Sequence, residues 1–290
     1  MTDNSLVLPS FASLQLTTGE NVQWDPNSQL FMTSIKGWHG SSPIRREKSD
    51  RLGAHGSHSE RGWKDERLIT IQGSFFGPAP WVAEEKVEEL AGMFGDGNAG
   101  TFTTINSRGQ LRTAEVYLAG DGFDPVWTGR SQFTFTIFLL APDPRKYGTP
   151  AVSPEIGVPT EGDGLKMPLF TPSGVLDFGV AGNPGTTSLT NTGTADTGQI
   201  FTVKGTYVPG FTITETKSGR RLVYTGILRA GQELTLNSDN GAVLLDGYAP
   251  RELAVSEWVR LGRGESGVWL FESPGSVGAT MKVEVRPAWW

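Results

Sequence analysis

The stretch FTIFLLAPDPRKYG, residues 135–148, sets the reading of the first half of this chain. The run 131–140 that leads into it reads as a strand, with Phe133, Phe135 and Ile137 on one face and an unalternating, buried finish at Phe138, Leu139 and Leu140. Pro142 and Pro144 withdraw two backbone donors, so ladder pairing has to stop before them.

Working outward, further strands are predicted at residues 13–16, 29–34, 67–76, 101–106 and 110–119, separated by glycine-rich turns. In 67–76, Ile69, Ile71 and Gly73 oppose Leu68, Thr70 and Gln72, a period of two that demands a covering layer. One helix is predicted after Pro80, with Ala83, Val87, Leu90, Ala91 and Phe94 forming an apolar stripe and Glu84, Glu85, Glu88 and Glu89 on the remaining faces. It covers the sheet or is donated to a neighbouring subunit. Residues 41–64 are long, polar and without apolar period, and read as an extended loop or hairpin. A connection of more than about 15 residues inside a compact domain usually has a task, and reaching over an adjacent protomer is one.

Residues 142–174 are punctuated by proline and glycine and read as a junction. Beyond them, short runs at 187–190, 199–204, 211–215, 221–224, 233–237, 242–245, 257–261, 267–272 and 279–285 predict a β-sandwich. Met281, Val283 and Val285 alternate with Lys282, Glu284 and Arg286, the clearest half-buried strand in the chain. The expected organisation is mainly β: a domain at 1–148, a partly ordered junction at 149–174 and a sandwich at 175–290.

At 290 residues the chain accommodates two cores, and a formal net charge of -6 argues against a broad nucleic-acid-binding surface. The 38 glycines, 18 prolines and 9 tryptophans suit many short strands better than helices. With no cysteine, disulfides and thiolate chemistry are excluded. The N-terminus lacks the pattern of a secretory leader and no apolar run is long enough for a membrane-spanning helix, so a chain without a membrane anchor is expected.

Catalytic readings find little support. His55 and His58, with His39, Asp50, Glu60 and Asp65, offer metal-ligand atoms, but not at metallohydrolase spacing. The glutamate pairs of the helix sit on its solvent side, and the sequence contains neither a phosphate-binding loop nor a calcium loop. No catalytic residue, metal or cofactor is expected. The charges of the polar segment, including Arg45, Arg46, Arg51 and Arg61, alternate with acids and serve intersubunit contact, a solvated face or DNA contact. Among the aromatics, Trp258 and Trp269 are expected in the core. Trp289 and Trp290 either seal the sandwich or pack on a partner, and an exposed tryptophan could instead stack on a saccharide.

Read together, the order of motifs resembles the distal tail proteins of siphophages. In the second half these are Leu245-Asp246-Gly247, Ser256-Glu257-Trp258 with Leu261-Gly262-Arg263-Gly264, and the terminal Arg286-Pro287-Ala288-Trp289-Trp290. In the first half they are Trp38 and Gly40 before the polar segment, the strand 67–73 with its following helix, and Pro142-Asp143-Pro144-Arg145-Lys146-Tyr147. The resemblance implies a split β-barrel related to tail tube proteins, with one packed α-helix, followed by a galectin-like or carbohydrate-binding-module-like jelly-roll sandwich.

It also implies a minor tail protein without enzymatic activity. Six copies would form a ring at the distal end of a long non-contractile tail. That ring would join the tail tube and tape measure proteins to the tail-tip apparatus, a tail-associated lysin or a receptor-binding protein, and leave a channel for DNA. The protein would assemble in the host cytoplasm and reside in the virion tail. Under this resemblance the ring-interface candidates are Arg45, Arg46, Arg51, His55, His58, Arg61 and Trp63, and the junction motif is Pro142, Asp143, Pro144, Arg145 and Tyr147. Gly247, Trp258, Leu261, Gly264, Trp269, Arg286 and Trp289 are the structural positions of the sandwich. The competing reading is a carbohydrate-binding protein that attaches to host cell-wall polysaccharide.

Overall fold

A computed structural model describes residues 11–16, 21–24, 29–92, 97–164 and 180–290. The chain divides into two compact units, Met1–Thr149 with Trp290, and Pro150–Trp289.

The first unit contains β1 (Phe11–Leu16), β2 (Asn21–Trp24), β3 (Leu30–Lys36), β4 (Ile44–Arg45), β5 (Lys48–Asp50), β6 (Ser57–Ser59), β7 (Trp63–Lys64) and β8 (Arg67–Phe76). The helix α1 (Pro80–Gly92) follows, then β9 (Gly100–Ile105), β10 (Leu111–Gly129), β11 (Gln132–Ala141) and β12 (Lys146–Tyr147). The main sheet runs β2-β1-β9-β10-β11-β8-β3, an open path whose two ends are not joined as a barrel. All these pairings are antiparallel.

The proline-bounded strand, β11, lies inside this sheet between β10 and β8. β11 pairs with β8 in unbroken register from Gln132↔Phe76 to Ala141↔Arg67, and then Pro142 ends the ladder. Phe133, Phe135 and Ile137 are buried as expected, but the finish is not continuous: Leu139 is buried between partly exposed Phe138 and Leu140. The strand keeps its two-residue period to the end, because its other face is not sealed by a second layer.

The strand expected at 110–119 extends to Gly129. Residues 111–116 pair with β9, and from Tyr117 onward the strand pairs with β11, with a register shift between Leu118 and Phe123. Gly120 and Gly122 hold positive φ there, so a glycine pair that reads as a turn is instead a bulge that bends one strand across both halves of the sheet. Gly73 has a different duty: a Cβ on it would meet Phe135 Cζ at 2.3 Å and the Phe31 carbonyl oxygen at 2.4 Å.

α1 begins at Pro80 and places Ala83 and Leu90 in the core with Val82 and Val87 packed beside them, while its glutamates face solvent. Ala91, expected in the stripe, is exposed, and Phe94 lies outside the described residues. The polar segment 41–64 is a hairpin arm: β4 pairs with β7 at its root and β5 with β6 further out.

The second unit continues with β13 (Ala151–Val152), β14 (Ile156–Gly157), β15 (Thr186–Thr190), β16 (Gln199–Lys204), β17 (Tyr207–Val208), β18 (Phe211–Glu215), β19 (Arg221–Tyr224) and β20 (Leu228–Arg229). It ends with β21 (Glu233–Asn237), β22 (Val243–Leu245), β23 (Ala249–Pro250), β24 (Val255–Ser256), β25 (Ser266–Glu272), β26 (Thr280–Val285) and β27 (Ala288–Trp289). One sheet runs β13-β26-β16-β21-β22-β23, with β14 also on β26, and the other β15-β25-β18-β19-β24. Their inner faces share one core in which Phe201 meets Trp269 edge-on at 5.6 Å. Met281, Val283 and Val285 are fully buried, and alternate with partly exposed Lys282 and Glu284.

Part of the region read as junction therefore supplies edge strands to the sandwich; residues 165–174 of it lie outside the described residues. The strand expected at 257–261 is absent. Val255–Ser256 pairs with β19 instead, and Leu261 makes an isolated bridge to Thr197.

Candidate functional site

The chemistry of the first unit concentrates where the arm leaves the sheet. Arg67 opens β8 in the same inward phase as Ile69 and Ile71, and is only 1% exposed. Its Nε donates to the Pro144 carbonyl at 3.0 Å, and its Nη1 to the carbonyls of Gly37, Trp38 and Gly40 at 2.5, 3.2 and 2.8 Å. Buried Lys146 adds a donation from Nζ to the Trp38 carbonyl at 2.9 Å. Two cations thus grip the main chain that precedes the arm, and use carbonyl dipoles as their acceptors.

Trp38 completes the grip. Its indole is buried against Phe102 at 4.9 Å, and its Nε1 donates to Thr104 Oγ1 at 3.0 Å. Gly37 permits the turn, with φ of 79° and a hypothetical Cβ only 1.8 Å from the Leu68 carbonyl oxygen. Burial, then the neighbouring charges of Arg67 and Arg112, lower the Lys146 pKa to about 8.

The junction motif fixes the other side of this root. Asp143 accepts from Arg145 Nε at 2.9 Å, from Arg145 Nη2 at 2.8 Å, from the Arg145 amide at 3.0 Å and from the Tyr147 hydroxyl at 2.6 Å. Burial alone would raise the Asp143 carboxyl, but these hydrogen bonds outweigh it and hold it below the ordinary range. The motif so organised orients the Pro144 carbonyl toward Arg67 and delivers Lys146 to Trp38.

The arm itself is presented to solvent. Arg45, Arg46, Arg51, His55, His58 and Arg61 are all exposed, and Trp63 is 61% exposed with the Arg61 guanidinium 4.9 Å from its ring centre. Arg45 and Asp65 reach only 4.0 Å, and Lys64 bonds Ser41 Oγ at the root. The structure brings Arg61 and Trp63 together but sets the distal His55 and His58 apart from any ligand cluster. No group of three or more His, Cys, Asp or Glu converges among the described residues. Nor is any helix among them long and apolar enough to cross a membrane.

The residues picked out in the second half hold its loops and core. Asp246 and Gly247 both take positive φ in the tight turn between β22 and β23. Leu261 is buried, and Gly264 takes positive φ in a loop closed by Glu265, which accepts from the Gly262 amide at 2.9 Å. Buried Asn191, missed in the sequence, donates to the carbonyls of Ala195, Leu261 and Gly262 and ties this loop down. Trp269 is in the core, whereas Trp258 is only partly buried at its margin, because no strand forms around it. Arg286 gives its carbonyl to Thr197 Oγ1 at 2.8 Å, and Trp289 is half-buried.

Among the described residues, an open, bent sheet with one helix and a charged arm, followed by a two-sheet sandwich, defines a two-unit β protein. The same fold is found in the Dit (gp 19.1) protein of SPP1, described as a paradigm of hub adsorption apparatus in Gram-positive infecting phages. That likeness has a TM-score of 0.65 at 13% identity, and covers 96% of this chain and 99% of that one. A chain of the phage P2 baseplate in its activated conformation with Ca is similar at a TM-score of 0.52 and 9% identity, over 96% of this chain and 98% of that one. No protein-family model matches the sequence, and no curated protein matches it.

Proposed function

We propose that this chain is a structural, non-enzymatic component of a phage tail hub. The observation that carries the reading is the likeness to the SPP1 hub protein over nearly the whole length of both chains, which includes both units. In this reading the first unit forms a ring, of six copies, around a channel through which DNA passes on ejection. The ring joins the tail tube and tape measure proteins to the tail-tip apparatus, a lysin or receptor-binding protein among its neighbours. It assembles in the host cytoplasm and stays in the virion tail.

The physical logic is edge completion. β2 and β3 end the open sheet and leave ladder groups for another copy to satisfy, and cyclic symmetry removes every such edge at once. The arm extends that contact. Its exposed ion pairs are worth only about 0–1 kcal/mol each, so Trp63 with Arg61 supplies the anchor and the mixed charges supply register. The candidates Arg45, Arg46, Arg51, His55 and His58 line the same arm.

The test is native mass spectrometry of the full chain and of a variant lacking residues 50–62. The full chain is expected as a six-copy species, and the variant as a monomer with an unchanged far-ultraviolet spectrum. A variant that assembles as the full chain does would refute the role of the arm.

A further inference from the structure

Two polar groups in the core of the second unit have no protein partner among the described residues: the indole Nε1 of Trp269 and the side-chain oxygen of Gln199. Both residues are only 1% exposed. They belong to opposite sheets, Gln199 opening β16 and Trp269 lying in β25. A buried polar group without a partner is rare in a native protein, and each one needs a physical account. Neither residue is free to move away and find another partner. The indole lies across Gly267, where a Cβ would meet Trp269 Cζ2 at 2.5 Å, and it meets the Phe201 ring edge-on at 5.6 Å. The Gln199 main chain is fixed by its pairing with Val285 and by the Ser238 amide, which donates to its carbonyl at 2.9 Å.

The same two residues line one small cavity of about 10 Å³ between the sheets. Phe201, Ile213 and Leu222 supply apolar walls, and Glu215 adds a buried carboxylate. Its two oxygens accept the amides of Lys217 and Ser218 at 3.1 and 2.6 Å, and each oxygen keeps a second lone pair. Exposed Arg220 and Glu257 stand at the rim and are themselves engaged, Arg220 Nη1 with the Trp258 carbonyl and Glu257 with the Arg221 amide. The volume matches the least that admits one water molecule, about 10–15 Å³, and excludes any larger ligand.

We infer that this cavity is the binding site of a single structural water that bridges the two sheets. The indole only donates and the glutamine oxygen only accepts, so the occupant has to accept from one and donate to the other. Water does both, and its second hydrogen has the Glu215 carboxylate as an acceptor, which gives the three partners usual for a buried water. Ions of either sign fit worse: a cation meets the positive end of the indole N–H, and an anion meets the carboxylate. If the Gln199 amide is turned over, the water accepts from both nitrogens and donates to Glu215, so the site serves either orientation. The bridge makes the sandwich core a polar as well as an apolar contact, and it stands apart from ring formation.

The test is a crystal structure of the full chain at a resolution that shows ordered water, with melting curves of the second unit beside it. A density peak is expected within about 2.7–3.2 Å of both Trp269 Nε1 and the Gln199 side chain. Gln199→Leu should remove that peak and lower the melting temperature of the unit. In a Trp269→Phe background the same change should cost roughly half as much or less, because the bridge is already broken. Ser238→Ala, which alters a buried hydroxyl that does not line the cavity, should leave the peak in place. Absence of the peak from the parent crystal, a peak that reaches only one of the two groups, a peak that survives Gln199→Leu, or equal losses in the two backgrounds would each overturn the assignment. Should a variant fail to fold, the parent crystal decides alone.

Discussion

Replacing Arg67 with methionine tests how the arm is rooted. Methionine fills much of the side-chain volume but donates no hydrogen bond. The Trp38 carbonyl keeps Lys146, whereas the carbonyls of Gly37, Gly40 and Pro144 lose a charged donor. Hydrogen bonds to charged groups contribute about 1.5–3 kcal/mol each. Removing the guanidinium also recovers its desolvation, a penalty of several kcal/mol. The difference is a net loss of about 2–4 kcal/mol from the first unit. At about 2–4 °C per kcal/mol for a unit of this size, its unfolding transition should fall by roughly 4–16 °C, while the transition of the sandwich stays in place. Hydrogen exchange across residues 39–66 should accelerate well before global unfolding, because beyond Trp38, which keeps Lys146 and Thr104, the arm would rely on its own short pairings and the contact of Lys64 with Ser41. Arg67→Lys should recover part of the loss, since one ammonium cannot reach acceptors on both sides of the root. A loss below about 1 kcal/mol with unchanged exchange in the arm would refute the claim that Arg67 fixes it.

Three further outcomes are expected. Gly73→Ala should destabilise the first unit by about 1–3 kcal/mol, since the Phe31 carbonyl cannot yield as a flexible side chain would; Gly40→Ala, with open space around it, should be close to neutral in the same denaturant titration. Lys146 carries a folded-state pKa of about 8, so between about pH 8 and 10.5 the unfolded chain binds more protons and stability rises with pH. Lys146→Met should lose that rise relative to the parent protein, as read from melting curves across the window. Asp143 is held below its ordinary pKa, so its contribution is present above the unfolded value and lost as pH falls through the folded one. Asp143→Asn should flatten that acid-side loss.

Much of the fold is legible where burial enforces a strict period. Arg67–Phe76, Gln199–Lys204, Phe211–Glu215, Arg221–Tyr224 and Glu233–Asn237 carry the bounds expected from the sequence, because each alternates one apolar face against one wet face. Glycine is where the sequence is ambiguous. Gly120 and Gly122 are chemically the same whether they end a strand or bend it, and only the long-range pairing with β11 decides. The arm's hairpin pairs polar residues with both faces exposed, so no apolar period marks its strands.

The site was only partly visible. The junction motif stood out by its prolines, but its use as an anchor depends on Arg67 and Lys146 reaching across the sheet. Arg67 did leave a signal: it shares the inward phase of Ile69 and Ile71, where an arginine must find acceptors. The exposed arm residues gave no comparable signal, since a charge that meets a neighbouring copy and one that meets water look alike in a single chain.

Negative-stain electron microscopy of the purified full chain measures the central claim most directly. The account predicts closed rings with sixfold symmetry and a central aperture. Isolated single-copy particles at every concentration tried, with no closed ring, would contradict it.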